Sequence, residues 1–238
     1  MSIEQDVKSP QVELCGIGTL GEKTLHAAIK HYIEPDKTKH EINIGAFIAD
    51  IATDKGIIEV QTRAFEKLRK KLAVFLDISP VMLVYPLPKA KYLIWLNGDT
   101  GEVSKRRKSP KLGNINDAIP ELYKIKHFLN HPNFHLLILL VDLEEYRYLN
   151  GWSEDGKRGS TRCDRVPVGI IEEIYIECVA DFAKFIPENL CDGFTSKNFR
   201  DVAKMSLRNS QTALNILNYL GIVKRVGKQG NLQIYERS

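Results

Sequence analysis

The apolar and polar positions of this chain change period several times, and each change predicts an element. Residues 22–33 and 62–76 carry apolar side chains at helical spacing, which predicts two amphipathic helices. A further helix is expected over residues 116–129, ended by Pro132. Shorter apolar runs predict strands over residues 40–44, 44–51, 56–62, 81–87 and 134–143, the fourth of them stopping at Pro86 and Pro88. The opening order of helix, three strands, helix and strand predicts a mixed α/β (α+β) fold around one sheet.

Two of these runs, joined by a turn, carry one acidic side chain each. Asp50 lies in the first and Glu59 in the second, and Asp54-Lys55-Gly56 between them is typical of a turn. If the turn is centred between Asp54 and Lys55, Asp50 lies directly opposite Glu59, with Cβ atoms about 4.5–5.5 Å apart. Two like charges destabilise such a pair, so the pattern predicts a shared divalent cation. The alternative is two surface acids on an exposed face of the hairpin.

The second part of the chain has the pattern of a separate module. Residues 144–167 are charged and poor in aliphatic side chains, which predicts an inter-domain connection, and a helix is expected over residues 170–185. We therefore predict an α/β domain over residues 1–145, a connector over residues 146–167 and a second domain over residues 168–238.

The remaining pattern of this module predicts a winged helix. Thr195, with Phe194 before it and Phe199 after it, has the spacing of an N-cap threonine inside a hydrophobic staple. A further helix over residues 208–220 and a hairpin over residues 222–235 follow. In winged helices the second helix lies in the major groove of DNA.

Polar side chains on this module are candidates for contacts with double-stranded DNA. The outward face of the second helix carries Arg208, Asn209, Gln211, Thr212 and Asn215. Arginine, asparagine and glutamine make bidentate contacts with base edges, and basic side chains of the hairpin contact phosphates. The basic residues of the hairpin are Lys224, Arg225 and Lys228. The alternative is a winged helix that binds protein.

Charge and composition narrow the class of partner and compartment. The net charge is only +4, but basic clusters occur at residues 63–71, 105–108, 157–165 and 224–228, which indicates a polyanionic partner. No apolar run approaches the roughly 20 residues of a membrane span, and the first residues lack a secretory pattern. The four cysteines have no paired spacing, so we expect reduced thiols in a cytoplasmic protein.

Three histidines spaced four residues apart suggest a metal stripe, but the pattern excludes it. His127, His131 and His135 would share one helical face, whereas Pro132 interrupts that helix.

The residues around the two acids resemble the restriction-endonuclease-like PD-(D/E)XK nuclease superfamily. The resemblance rests on Glu22 in a leading helix, Asp50 after an apolar strand and Glu59-Val60-Gln61 in the next strand, followed by a helix and a strand as in its αβββαβ core. With the C-terminal tail, the chain also resembles a bacterial family usually placed near those nucleases. The resemblance implies that Asp50, Glu59 and the Val60 carbonyl bind Mg²⁺, with Mn²⁺ as a substitute. Glu22 would be a further ligand or lie behind the ligands.

Gln61 departs from the superfamily pattern, which usually has lysine there to orient water and stabilise charge. Glutamine can hydrogen-bond a water but brings no positive charge. The resemblance allows the lysine to come from the following helix, so Lys67 or Arg63 is expected to replace it.

Three functions remain open on the sequence. The first is a metal-dependent deoxyribonuclease that hydrolyses phosphodiester bonds, with Asp50, Glu59, Gln61, Glu22 and Lys67 as its catalytic set. The second is a catalytically degenerate, nuclease-fold regulator that binds DNA through the winged helix. The third is an adaptor whose domains contact other proteins. A homodimer would suit a DNA-cutting enzyme, although no interface pattern indicates one.

Overall fold

The computed structural model describes residues 24–151 and 161–238, which form one large sheet, a separate hairpin and five α-helices. The strands are β1 (His40–Ile44), β2 (Phe47–Thr53), β3 (Gly56–Val60), β4 (Val81–Leu96), β5 (Arg107–Lys108), β6 (Phe134–Tyr148), β7 (Thr161–Ile176), β8 (Val223–Gln229) and β9 (Leu232–Arg237). The helices are α1 (Thr24–Ile33), α2 (Arg69–Ile78), α3 (Ile119–Lys124), α4 (Ser196–Ala203) and α5 (Leu207–Tyr219). None of the helices in these two ranges is long and apolar enough to cross a membrane.

The large sheet is mixed, which confirms the predicted class. Its order is β1-β2-β3-β4-β6-β7, and β5 pairs with the outer part of β4. β3, β4 and β6 run parallel, whereas the other neighbours are antiparallel. β3 has 5 residues, while β4, β6 and β7 have 15 or 16. The three long strands therefore continue beyond the end of β3.

Both faces of the sheet bury apolar side chains. On one face, Leu25 and Ile29 of α1 pack against strand residues that include Val60 and Val84. The other face forms a larger cluster with α2, α3 and the C-terminal helices, whose fully buried aromatic residues are Phe65, Phe75, Phe182, Phe185 and Phe199. The C-terminal helices thus share one apolar core with the sheet.

Local predictions are confirmed where one pattern covers a whole element. α1 ends at Ile33 and β1 has the predicted bounds. Thr195 is the N-cap of α4: its Oγ1 accepts the Asn198 N–H at 3.4 Å, and its own N–H donates to Asn198 Oδ1 at 2.9 Å. α5 and the β8–β9 hairpin follow in the expected order.

The prediction that the strand beginning at residue 81 stops at Pro86 and Pro88 is wrong. Pro86 and Pro88 both lie inside β4, which stays paired with β6 on either side of them. The register shifts just after Pro88, where the Ala90 N–H donates to Asp142 Oδ1 at 3.0 Å. A bulge and a carboxylate acceptor therefore absorb the irregularity, and the strand continues.

The predicted connector over residues 146–167 and the predicted helix over residues 170–185 are also wrong. β6 runs to Tyr148, and β7 pairs antiparallel with it along its length. β7 is the last strand in the sheet and has few buried side chains, so its charged composition reflects an exposed edge and not a linker. The helical part that follows is a short 3₁₀ segment, Val179–Phe185. The C-terminal module consequently begins after β7.

Two further helices differ in length from the prediction. The pattern over residues 62–76 becomes a 3₁₀ turn, Phe65–Leu68, followed by α2. The helix expected over residues 116–129 divides into three short segments around α3. In both cases the predicted apolar side chains are still buried together, although the helix is not continuous.

The backbone at Gly56, the first residue of β3, has no room for a side chain. Its φ is +141°, and a Cβ there would lie 2.5 Å from the Pro80 carbonyl oxygen. We expect Gly56→Ala to lower the free energy of unfolding by about 1–3 kcal/mol, because strain and overlap act together. Urea unfolding followed by circular dichroism measures this. Gly169→Ala is the matched control, since nothing lies within 4 Å of its Cβ position. Equal losses in both variants would contradict the explanation.

Candidate functional site

The β2–β3 hairpin brings Asp50 and Glu59 together in the predicted register. Ile51 pairs with Ile58 and Thr53 with Gly56, so the next residues along are Asp50 and Glu59. At this position the hydrogen bonds between the two strands are accepted by side-chain carboxylates in place of backbone carbonyls. Glu59 Oε1 accepts the Asp50 N–H at 3.2 Å, and Asp50 Oδ2 accepts the Val60 N–H at 2.8 Å. Each carboxylate therefore reaches the backbone of the opposite strand, and the two acids are close neighbours.

His26, in the first turns of α1, contacts the same position from one side of the sheet. Its Nε2 lies 2.8 Å from the Val60 carbonyl oxygen and 3.3 Å from Asp50 Oδ2. A carbonyl oxygen only accepts, so Nε2 carries the proton and donates. The Val60 carbonyl and the Asp50 carboxylate thus converge on a single atom.

Lys71, in the first turn of α2, contacts the site from the other face. Its Nζ lies 2.6 Å from Glu59 Oε2, and the Glu59 side chain is only 2% exposed. The same ammonium group lies 5.6 Å from the centre of the Phe75 ring. Lys71 is therefore held between a buried carboxylate and the apolar stripe of its own helix.

The two carboxylates have different proton affinities because their surroundings differ. Burial and, after it, the Asp50 charge raise the pKa of Glu59 to about 7, although Lys71 acts in the opposite direction. Burial also acts upward on Asp50, but the hydrogen bond and charge of His26, followed by the Val60 N–H, hold its pKa below the ordinary value. The pair therefore carries one negative charge readily, and the second is costly near neutral pH.

The donor set fits a hard divalent cation. It offers two carboxylates and one backbone carbonyl, which are the oxygen ligands that Mg²⁺ and Mn²⁺ prefer. In residues 24–151 and 161–238, no group of three or more His, Cys, Asp or Glu side chains is arranged to hold a metal ion. Asp50, Glu59 and the Val60 carbonyl oxygen stay the predicted ligands, and Glu22 lies outside the described residues.

The expectation that Lys67 or Arg63 supplies the cation beside the two acids needs correction. Lys67 is exposed, and within the described ranges neither its side chain nor that of Arg63 contacts the two acids. The cation that does is Lys71, one helical turn later, because the helix begins with a 3₁₀ turn that ends at Leu68. The Gln61 side chain donates through Nε2 to the Arg63 carbonyl oxygen, so its amide closes a local turn.

Sequence reasoning missed His26 and Lys71, although each has a faint signal. His26 follows the fully buried Leu25 and precedes Ile29 by three residues, so it borders the apolar stripe of α1. Lys71 precedes the buried Leu72 and lies one turn before Phe75. A polar residue on the edge of a buried stripe is a common arrangement, and nothing in the pattern indicates the contact across the sheet.

The predicted DNA-contacting residues of α5 differ in exposure. Arg208, Gln211 and Asn215 are exposed, whereas Asn209 and Thr212 are half-buried. Thr212 Oγ1 donates to the Arg208 carbonyl oxygen at 2.9 Å. On β8, the exposed basic residues are Lys224, Arg225 and Lys228. The exposed polar positions of α5 and the exposed basic positions of β8 thus belong to the same module.

One end of α5 is held against the sheet unit by Lys126. Its Nζ donates to Asn215 Oδ1 at 3.1 Å and lies 4.8 Å from the centre of the Tyr219 ring. Asn215 is thus already engaged within the chain, and α5 is seated on the segment that follows α3.

Comparison with known proteins identifies the family. The sequence profile of a domain of unknown function (DUF8091) matches residues 23–177, well over half of the chain. The chain belongs to this family. The DUF8091 match runs from the start of α1 to the end of β7, so it contains His26, Asp50, Glu59 and Lys71 and excludes the C-terminal module.

One curated relative extends the comparison. An uncharacterized protein of Treponema pallidum (strain Nichols) is 32% identical over 147 residues, which is 61% of this chain. The chain covers 56% of the length of that relative. No solved structure matches.

The raised pKa of Glu59 predicts a pH-dependent stability. A carboxyl whose folded pKa, about 7, exceeds its ordinary value stabilises the fold at low pH and loses that contribution as the pH rises toward and past 7. Between about pH 5 and pH 8 the wild type should lose about 2–3 kcal/mol in free energy of unfolding relative to Glu59→Gln, whose amide does not titrate. Chemical unfolding at several pH values measures the difference.

Glu172→Gln is the matched control for this measurement, because Glu172 is exposed on β7. Its difference from the wild type should stay constant across the same range. A Glu59→Gln difference that is equally flat would show that the carboxyl titrates normally.

Proposed function

We propose that this protein is a metal-dependent nuclease of the restriction-endonuclease-like PD-(D/E)XK type that hydrolyses phosphodiester bonds in double-stranded DNA. The observation that carries the proposal is the pair formed by Asp50 and the buried Glu59, with Lys71 bonded to Glu59 at 2.6 Å. Two neighbouring carboxylates, a carbonyl oxygen and a lysine are the groups that such hydrolysis needs.

The order of elements supports the resemblance on which this proposal draws. α1, then β1 to β3, then α2 and β4 follow one another as in an αβββαβ core. The parallel pairing of β3 with β4 brings the end of the acidic strand against the centre of the sheet. The acids lie near the end of β3, beyond which the longer strands continue.

The residues of this chain would divide the work as follows. Asp50, Glu59 and the Val60 carbonyl would hold Mg²⁺ or Mn²⁺. When bound, the cation supplies Lewis-acid activation of a water molecule and charge neutralisation at the phosphate. Lys71 would offset the charge that develops on the phosphate, the role expected of Lys67 on the sequence.

His26 would orient two of the proposed metal ligands. Its Nε2–H donates to the Val60 carbonyl and approaches Asp50. Because it contacts both oxygen atoms, it would hold the Val60 carbonyl and the Asp50 carboxylate in fixed positions. The histidine would then act as a positioning residue from α1.

The C-terminal module would deliver this site to DNA as a winged helix. α4, α5 and the β8–β9 hairpin have the order of that motif, and Phe194 pairs with Tyr235 of β9 as a short third strand. Arg208 and Gln211 on α5 would read bases, while Lys224, Arg225 and Lys228 would contact phosphates.

A second candidate function, a DNA-binding regulator without catalysis, is favoured by Gln61. Its side-chain amide is bonded to the Arg63 carbonyl and brings no charge to the site. Such a regulator would bind DNA in a salt-dependent way and need no metal. Incubating supercoiled plasmid with Mg²⁺, Mn²⁺ or EDTA, beside a gel-shift assay, separates the two.

Asp50→Asn tests the nuclease. We expect the variant to lose plasmid nicking by about a hundredfold or more in Mg²⁺, because it removes a ligand charge, while its DNA affinity in EDTA stays unchanged. Lys71→Met should lose nicking to a similar degree. Asp54→Asn, in the exposed turn of the same hairpin, is the matched control and should cut as the wild type does. Equal cutting by Asp50→Asn would remove the assignment.

Substituting Lys224, Arg225 and Lys228 together by Gln tests the DNA surface. We expect weaker binding to duplexes of any sequence and a salt dependence, log K against log salt, that is shallower by about three, since each phosphate contact contributes about one. Fluorescence anisotropy over a salt series measures both. The control replaces the exposed Lys37, Lys70 and Lys111 by Gln. If both triple variants behave alike, the effect is one of net charge and β8 is not the contact surface.

A further inference from the structure

The large sheet continues beyond the end of β3 as an outer part built from β4, β5, β6 and β7. Residues paired in the strand register project to the same face, so the register sorts the side chains of this part. One face continues the side on which Leu143 joins the apolar cluster of α1, and we call it the arginine face. Across the strands, its rows are Lys91, Leu143 and Pro167, then Arg107, Leu93, Glu145 and Arg165, and then Trp95, Arg147 and Arg162.

Positive charge predominates on the arginine face. Five of its ten side chains are lysine or arginine, and Glu145 is the one acid among them. Glu145 is only 1% exposed, accepts the Arg147 Nε–H at 2.6 Å and lies 3.6 Å from Arg162 Nε. Burial acts upward on the pKa of Glu145, but the Arg147 hydrogen bond and the charges of Arg162, Arg147 and Lys91 hold it below the ordinary value. This carboxylate is therefore ionised, and its single charge faces five positive ones.

The cations that are not buried are spread across the arginine face. Arg107 is exposed on β5, and Lys91, Arg162 and Arg165 are half-buried, whereas Arg147 is buried. Arg107 and Arg165 lie in one row, three strand spacings apart, which is about 14 Å. Duplex DNA carries one charge per about 1.7 Å of its axis, so a row of this length faces several phosphates.

The opposite face of the same strands differs in charge. Its row beside Arg107 contains Lys108, Tyr92 and Glu144, with one base and one acid. Arg106 forms an ion pair with Glu144 at 2.9 Å and lies 3.6 Å from the centre of the Tyr92 ring. The charges in this row are thus compensated, and the excess of positive charge belongs to the arginine face.

The start of α1 borders the arginine face. Asp164, next to Arg165 on β7, accepts a hydrogen bond from the Thr24 hydroxyl. Thr24 lies two residues before His26, whose ring contacts Asp50. Even with Asp164 counted, the cations of this region outnumber its acids by five to two. The first turn of α1 therefore connects the arginine face with the candidate site.

We propose that the arginine face is a second DNA-binding surface, on which Arg107 and Arg165 contact backbone phosphates of the duplex that the winged helix binds. Guanidinium groups match the paired oxygens of phosphate. Phosphate contacts carry no sequence information, so this surface would position the duplex without selecting its sequence. The assignment to DNA rests on the proposed function, whereas the surface requires neither a metal ion nor cleavage.

Arg107→Gln and Lys108→Gln test the surface as a matched pair. The two residues are neighbours on β5, both are exposed, and they lie on opposite faces of the sheet. We expect Arg107→Gln to weaken binding of the full chain to a duplex oligonucleotide in EDTA by about tenfold, as for one lost hydrogen bond to a charged group. The slope of log K against log salt should become shallower by about one. Lys108→Gln should bind as the wild type does, and fluorescence anisotropy over a salt series measures both variants.

Two further variants separate charge from structure. Arg107→Lys retains the charge and should recover most of the affinity, whereas Arg165→Gln, checked for folding by circular dichroism, should lower it as Arg107→Gln does. Wild-type affinity in Arg107→Gln, or equal losses in Arg107→Gln and Lys108→Gln, would overturn the arginine face. Since binding is measured in EDTA, a protein that fails to nick plasmid but loses affinity in Arg107→Gln alone keeps this surface and loses the nuclease.

Polyglutamate of matched charge distinguishes DNA from an acidic protein as the partner. We expect polyglutamate to compete poorly with the duplex for the wild type, because a carboxylate carries less charge than the closely spaced phosphates of DNA. If Arg107→Gln weakens the binding of polyglutamate and leaves the affinity for the duplex unchanged, the assignment to DNA is overturned.

Discussion

Two neighbouring acids in a nearly buried hairpin constrain the whole domain. Glu59 is 2% exposed and lies beside Asp50, so its ionised form needs compensation from elsewhere in the fold. That compensation comes from His26 on α1 and Lys71 on α2, which cover opposite faces of the sheet. Both helices must be seated before the pair is satisfied, so the acids couple the two layers of the core to each other.

The unequal strand lengths give this pair its surroundings. β3 ends at Val60, whereas β4, β6 and β7 continue past it. Glu145 and Arg147 lie on this longer part of β6, and Arg162 lies on β7. All of these elements lie within residues 23–177, the segment shared with the DUF8091 family, while β8 and β9 lie beyond it. The chemistry proposed for the acids and the reading of DNA proposed for the tail therefore belong to different segments of the chain.

The sequence predicts the parts of the site that depend on local pattern. The turn at Asp54 and Lys55 was sufficient for the register of the hairpin, because apolar runs and turn residues act over a few positions. The pairing of Glu59 with Lys71 depends on where α2 begins, and the contact of His26 depends on packing across the sheet. β7 was mistaken for a linker and a helix because an exposed edge strand has the composition of both.

Lys126 links the C-terminal module to the body of the protein. It bonds to Asn215 and lies over the Tyr219 ring, and α5 shares its apolar core with α3 and the sheet. These contacts fix the position of α5 relative to the large sheet. If α5 reads bases and the two acids cut as proposed, this rigid attachment would act as a molecular ruler: the broken bond would fall at a constant number of base pairs from the recognised sequence.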